Sequence, residues 1–207
     1  MMNTSINFLL AGVGGQGTIL ASDVLVNVGL AAGFQAKQAE VHGMSQRGGS
    51  VTSHVRWGKV VYSPLIGAGE ADVLLAFEEL EALRSLNALR PGALVLVNTQ
   101  VIEPLTAISG GQAYPDDASV RLAFARLTPS MEFINGEEIA GALGNLKVTN
   151  VVLLGALSAL LERGGQAGAG LTPDIWLKVI TERVPPKHVE LNRKAFQAGR
   201  EAVEMKL

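Results

Sequence analysis

Apolar and polar positions follow two rhythms along this chain, and the two alternate. Residues 5–11 read as a continuous, mainly apolar strand that ends in a cluster of glycines, and residues 18–32 then carry apolar groups at helical spacing. Further strand-like runs cover 34–41, 71–77, 93–98 and 129–135, with a short one at 106–108. Between them the spacing predicts helices over 78–89, with Leu80, Leu83, Leu86 and Leu89 inward, over 115–126 and over 136–143. Residues 50–56 alternate, with Val51, Ser53 and Val55 on one face and Thr52, His54 and Arg56 on the other, which is the period of a strand. Gly58 and Lys59 read as a tight turn that returns the chain through Val60 and Tyr62, with Ser63 and Pro64 closing a hairpin.

The C-terminal third reads as helices. Thr149 or Asn150 is a suitable N-cap for a helix through Arg163 that is apolar on every side and contains Gly155, Ala156, Ser158 and Ala159. Such a helix is covered twice, either by sheet and another helix of the same chain or by a second subunit at the small residues. Residues 164–170 are a glycine-rich surface loop, Thr172 and Pro173 open the next helix, and the last runs over 187–205. Strand and helix in alternation predict an α/β fold: three layers, α/β/α, over a mostly parallel but mixed sheet, with the first strand central and a Rossmann-like opening.

Composition narrows the function. At 207 residues one domain over 1–207 is expected, burying roughly 70% of its unfolded surface. Only 17% of residues are charged against 48% hydrophobic, lean for a free monomer and in favour of a permanent partner. A net charge of -2 gives no footprint for nucleic acid. The apolar run at 6–13 has no basic lead-in and the run at 151–161 is too short to span a bilayer, so no membrane and a cytoplasmic location are expected. The chain contains no cysteine, which excludes disulfides, thiolate nucleophiles and cysteine-held iron-sulfur clusters, and its three histidines are too scattered for a metal site.

Two stretches carry candidate chemistry. Gly12, Gly14, Gly15, Gln16 and Gly17 lie between the first strand and first helix, as in a dinucleotide-binding turn, and Glu40 ends the next strand where a ribose-binding acid would stand. The same turn also serves simply to let a helix pack close to a sheet. The second stretch is His42, Gly43, Met44, Ser45, Gln46, Arg47, Gly48, Gly49, Ser50 and Val51, continued by His54 and Arg56. Glycine amides beside arginine and histidine form a surface for carboxylate or phosphate, while the bland alternative is a glycine turn leading into a half-exposed strand. Ser45 lacks a nucleophile elbow, and Glu78, Glu79 and Glu81 read as the charged first turn of a helix.

The stretch from His42 to Val51 resembles the signature of the gamma-type subunits of 2-oxoacid:ferredoxin oxidoreductases, the indolepyruvate branch in particular. Gly48, Gly49, Ser53, His54 and Arg56 match a related run of the pyruvate enzymes, although Thr52 sits one place later than that pattern's threonine. The glycine turn, and Pro186, Lys187, Asn192, Ala195, Phe196 and Gly199 near the C-terminus, are similar to the same family, so the resemblance covers nearly the whole chain. It implies a subunit without its own cofactor, packed on a large catalytic subunit that holds thiamine diphosphate, magnesium and iron-sulfur clusters, with coenzyme A as co-substrate. This chain lacks the Gly-Asp-Gly and Asn-Asn elements that hold the diphosphate. The resemblance makes Gly14, Gly15, Gln16, His42, Met44, Ser45, Gln46, Arg47, Gly48, Gly49, Ser50, His54 and Arg56 the candidate ligand- or partner-binding residues. The competing expectation is a free-standing nucleotide-binding or regulatory module using Gly12 to Gly17 and Glu40.

Overall fold

A computed structural model of the chain describes residues 5–42, 49–102, 114–164 and 171–204. Its first strand, β1 (Ile6–Val13), is buried along its whole length. A strand without an exposed face needs neighbours on both edges and layers on both sides. The chain supplies them in turn: α1 (Thr18–Ala31), β2 (Gln35–His42), β3 (Ser50–Gly58), β4 (Ala71–Ala76), α2 (Glu79–Arg84), β5 (Leu89–Asn98), α3 (Asp117–Ala125), β6 (Met131–Ile134), α4 (Gly136–Ala142), α5 (Thr149–Arg163), α6 (Pro173–Arg183) and α7 (Val189–Glu204). The strands form one six-stranded sheet in the order β2-β3-β1-β4-β5-β6, with β1 central.

From β1 to β6 the sheet is parallel. The expected mixed character comes from β3, which lies antiparallel to both β1 and β2. Here the sequence reading is corrected. No strand returns over 60–62, and the hairpin partner of β3 is β2, in the register Gln35↔Gly58 to His42↔Val51. The reason is saturation: β3 is bonded along both edges, so Val60 to Tyr62 find no free ladder. Val61 N–H instead donates to the Gln35 side chain at 3.0 Å.

Other differences are local. The helix expected over 78–89 stops at Arg84, a 3-10 turn covers Leu86–Ala88, and β5 begins at Leu89, so Pro91 lies within the strand beside a break in the β4–β5 register. A proline at such an irregularity forfeits no ladder bond. Val148, not Thr149 or Asn150, occupies the N-cap of α5. Thr149 Oγ1 donates to the Leu146 carbonyl at 2.7 Å, and Asn150 turns towards the Gly17 carbonyl. The strand expected at 106–108 lies outside the described residues.

Two cores flank the sheet. One side buries Leu10, Val28, Trp57, Leu75, Leu157, Trp176 and Phe196 under α1, α5, α6 and α7. The other buries Leu9, Leu74, Val95, Phe124 and Phe133 under α2 and α3. The small residues of α5 are used within the chain. A Cβ added at Gly155 would lie 2.0 Å from the Phe196 carbonyl oxygen of α7, and one at Gly199 would lie 1.9 Å from that of Val152.

Candidate functional site

Because β1, β4, β5 and β6 are parallel, the connections that leave them emerge on one side, at the carboxyl edge where α/β sheets place their ligands. Antiparallel β3 begins on that same edge. Its Ser50 pairs with Val13, and the Gly14 N–H donates to the Gly49 carbonyl at 3.0 Å. The glycine turn and the C-terminal end of the signature stretch are therefore hydrogen-bonded neighbours.

The turn itself is braced by Gln16. Its Oε1 accepts the Val13 N–H at 2.8 Å, and its Nε2 donates to the Phe77 carbonyl at 3.0 Å and to Gln100 Oε1 at 2.6 Å. Gln100 Nε2 in turn donates to Glu137. Gly17, at φ 80°, turns the chain into α1 with a conformation that side-chain-bearing residues rarely adopt. Asn98 closes the floor, donating to the Phe77 carbonyl at 3.1 Å and accepting the Gly136 N–H at 2.8 Å. Above these groups lies a cleft of about 460 Å³ lined by Gly15, Gln16, Gly17, Gln100, Glu137 and Lys147 among others. It combines the N-terminus of α1 with a lysine, a setting that favours anionic groups. Neither Gln100 nor Lys147 stands out in the sequence, because each becomes part of a site only when the loops after β5 and α4 meet the glycine turn.

The dinucleotide reading does not fit this geometry. It needs the acid-bearing strand beside β1, yet β3 intervenes, and Glu40 sits exposed on the edge strand opposite Ser53. Two strand spacings, about 9.6 Å, separate β2 from β1.

The candidate residues divide into groups. Gly14, Gly15, Gln16, Gly49 and Ser50 come together at the carboxyl edge. Met44, Ser45, Gln46, Arg47 and Gly48 lie outside the described residues, and of His42 only its place at the end of β2 is described. His54 and Arg56 point their chemistry elsewhere. His54 Nδ1 accepts the Ile66 N–H at 3.1 Å, and burial holds its pKa below the usual histidine value, so it is a neutral acceptor rather than a cation. Arg56 donates to Asn7 Oδ1 at 2.9 Å and to the Leu65 carbonyl at 3.0 Å. Both side chains hold residues 65–66 against the sheet, four and six positions along β3 from Ser50.

Three acids were missed. Glu78, Glu79 and Glu81 do form the N-cap and first turn of α2, but they are 1%, 4% and 2% exposed rather than solvated. Glu78 accepts from the Glu81 N–H at 2.9 Å, the Ile102 N–H at 3.2 Å and the Tyr114 hydroxyl. Burial, then the bond to Glu78, pushes the Tyr114 phenol far above its usual range. Burial raises the Glu79 pKa as well, with Asp117 and Glu78 adding to it and Arg121 opposing. Glu81 receives the Ser50 hydroxyl at 2.5 Å and Arg84 at 2.5 Å. The available signal was the lack of any polar spacer between the apolar run 73–77 and Glu78, since a buried strand delivers its next residues into the interior.

Among the described residues, no group of three or more His, Cys, Asp or Glu side chains could hold a metal ion, and no helix is long and apolar enough to cross a membrane.

The mixed sheet with its glycine turn and signature hairpin belongs to a known class: the chain is a member of the pyruvate ferredoxin/flavodoxin oxidoreductase family, whose model matches residues 7–202. It is thereby a subunit of a 2-oxoacid:ferredoxin oxidoreductase. More particularly, it is 39% identical to the indolepyruvate oxidoreductase subunit IorB of Thermococcus kodakarensis over 199 residues, covering 96% of each chain. It is 37% identical to the IorB subunit of Archaeoglobus fulgidus, covering 94% of this chain and 93% of that one. Among solved structures, the gamma subunit of a keto/oxoacid ferredoxin oxidoreductase from Geobacter sulfurreducens matches with a TM-score of 0.67 and 27% identity, covering 95% of this chain and 97% of that one. The 2-oxoglutarate:ferredoxin oxidoreductase of Magnetococcus marinus, solved with 2-oxoglutarate, coenzyme A and succinyl-CoA bound, shares the fold at a TM-score of 0.70 and 19% identity, covering 98% of this chain and 31% of that one.

Proposed function

We propose that this chain is the small, cofactor-free subunit of a cytoplasmic enzyme that oxidises indolepyruvate or a related aryl pyruvate to an acyl-CoA, carbon dioxide and reduced ferredoxin, and that it is inactive alone. Thiamine diphosphate, magnesium and iron-sulfur clusters belong to the large subunit on which it packs as one domain. Its own contribution is binding: the carboxyl edge of the sheet receives an anionic group of coenzyme A or of the substrate. The observation that carries this reading is the Gly14 to Gly49 hydrogen bond, which sets the glycine turn and the C-terminal end of the signature stretch side by side next to the cleft lined by Lys147. Arg47, three residues before Ser50 in the sequence, supplies a planar guanidinium able to make paired bonds to phosphate or carboxylate.

The test uses the two-subunit enzyme made by co-expression. A hydrogen bond to a charged group is worth about 1.5 to 3 kcal/mol, so Arg47→Ala is expected to raise the KM for coenzyme A or the 2-oxoacid roughly ten- to a hundredfold. Lys147→Ala is expected to do the same to a smaller degree, and neither should shift the melting temperature of the free chain. Unchanged KM values for both co-substrates in both variants would refute the binding role. A panel of aryl and aliphatic 2-oxoacids in the same assay checks the substrate class.

A further inference from the structure

Glu78 and Glu81 do more than start α2. Helix N-caps are served well by Ser, Thr, Asn or Asp, and a carboxylate shut away from water is costly unless bonded, so capping alone does not account for glutamates 1% and 2% exposed. Their longer side chains reach other parts of the edge. Glu78 accepts from Ile102 and from Tyr114, the two described residues that bracket 103–113 in sequence. Tyr114 completes the ring by accepting the Leu80 N–H at 3.2 Å. Glu81 accepts from Ser50, the residue in which the signature stretch passes into β3. Opposite it, Gly49 is tied to Gly14 of the glycine turn. The bonds of Glu78, Leu80 and Glu81 converge on one turn, and that turn follows β4, which lies between β1 and β5 and is buried on both sides.

We propose that Glu78 and Glu81 are positioning residues of the oxidoreductase: one rigid turn fixes Ser50, Ile102 and Tyr114, and so sets Gly49 and Ser50, the end of the signature stretch, in register with the glycine turn at the carboxyl edge. Neither glutamate touches substrate. Glu81 acts through Ser50, and Glu78 acts through Ile102 and Tyr114. The inference rests on the reading of the signature stretch as a binding surface.

The experiment measures KM for coenzyme A and for the 2-oxoacid, kcat and melting temperature for the co-expressed two-subunit enzyme carrying Ser50→Ala, Glu81→Gln, Glu78→Gln or Tyr114→Phe. Tyr114→Phe removes one hydroxyl and no charge, and stands in for Glu78→Gln if that variant does not fold. A positioning role raises KM about fivefold or more while kcat stays within about twofold. Ser50→Thr, which keeps the hydroxyl, restores the KM. Ser50→Ala combined with Arg47→Ala is expected to be no worse than Arg47→Ala alone, because both act through the same stretch. Unchanged KM, or a lower melting temperature without a KM change, overturns the proposal. The two readings fail separately. If Arg47→Ala raises KM and Ser50→Ala does not, the positioning role falls and the binding surface stands. If Arg47→Ala is silent while Ser50→Ala raises KM, Arg47 loses its role and the positioning role stands.

Discussion

His54 shows how a residue picked for its charge can work through the loss of it. Its ring sits half-buried on β3 with Nδ1 accepting the Ile66 N–H, an arrangement open only to the neutral imidazole, and burial lowers its pKa. The sign of the resulting linkage is fixed. Between the lowered folded pKa and the unfolded value of about 6.5, the unfolded chain binds the extra proton, so stability rises with pH across that window. The contribution is full above about pH 6.5 and is lost as the pH falls through that value towards the folded pKa. The ring is therefore expected to titrate below 6.5 by NMR, and the urea midpoint of the free chain to fall between pH 7.5 and pH 5. A His54 titration at or above 6.5 would contradict the assigned acceptor role. At this scale the sequence was a mixed guide. The place of Gly14, Gly15, Gln16 and Ser50 beside one another at the strand ends was legible from motif and spacing. The roles of His54, Arg56 and the three glutamates were not, because burial and the tertiary bond partners come from chain segments 9 to 49 residues away.

At the scale of elements, the mainly apolar strands β1 and β4 and the long helices α1, α5, α6 and α7 could be read directly, since a largely apolar run or a strong helical period leaves one solution. What could not be read was which strand pairs with which. Gly58 and Lys59 look like a hairpin turn, yet β3 is claimed on both edges by β1 and β2. The close contact of α5 with α7 was half legible: the small residues showed that something approaches, and the structure shows that it is the chain itself. Gly155→Ala would place a methyl 2.0 Å from a backbone oxygen, which flexible side-chain motion cannot relieve. The two helices would have to separate, at an expected cost of about 3 kcal/mol or more. Gly141→Ala in α4 is the control. Its Cβ would meet only Leu146 Cδ2 at 3.6 Å, so it is expected to be neutral or to stabilise by up to about 1 kcal/mol. Urea unfolding of the free chain distinguishes them, and a Gly155→Ala loss below about 1 kcal/mol would show that the crossing is looser than described.

For the whole molecule, the decisive facts are one of topology and one of composition. Inserting β3 between β1 and β2 moves Glu40 away from the glycine turn and brings Gly49 and Ser50 to it, converting a nucleotide-like opening into a different edge. The chain also contains no cysteine, so it has no thiolate to hold an iron-sulfur cluster, and it lacks the sequence elements that hold thiamine diphosphate. Oxidising a 2-oxoacid with loss of carbon dioxide needs a carbanion sink for the carboxyl-bearing carbon and a path for two electrons. Under the proposed binding role the chain supplies neither, so its effect on the reaction is expected in the KM values and the assembly of the complex. The expected outcome is that the highly purified chain, given thiamine diphosphate, magnesium, coenzyme A and a viologen acceptor, reduces no dye with any 2-oxoacid. Adding the separately purified large subunit should bring activity that saturates at a fixed subunit ratio. Dye reduction by this chain alone, proportional to its concentration and retained after further purification, would mean that it carries a catalytic centre of its own.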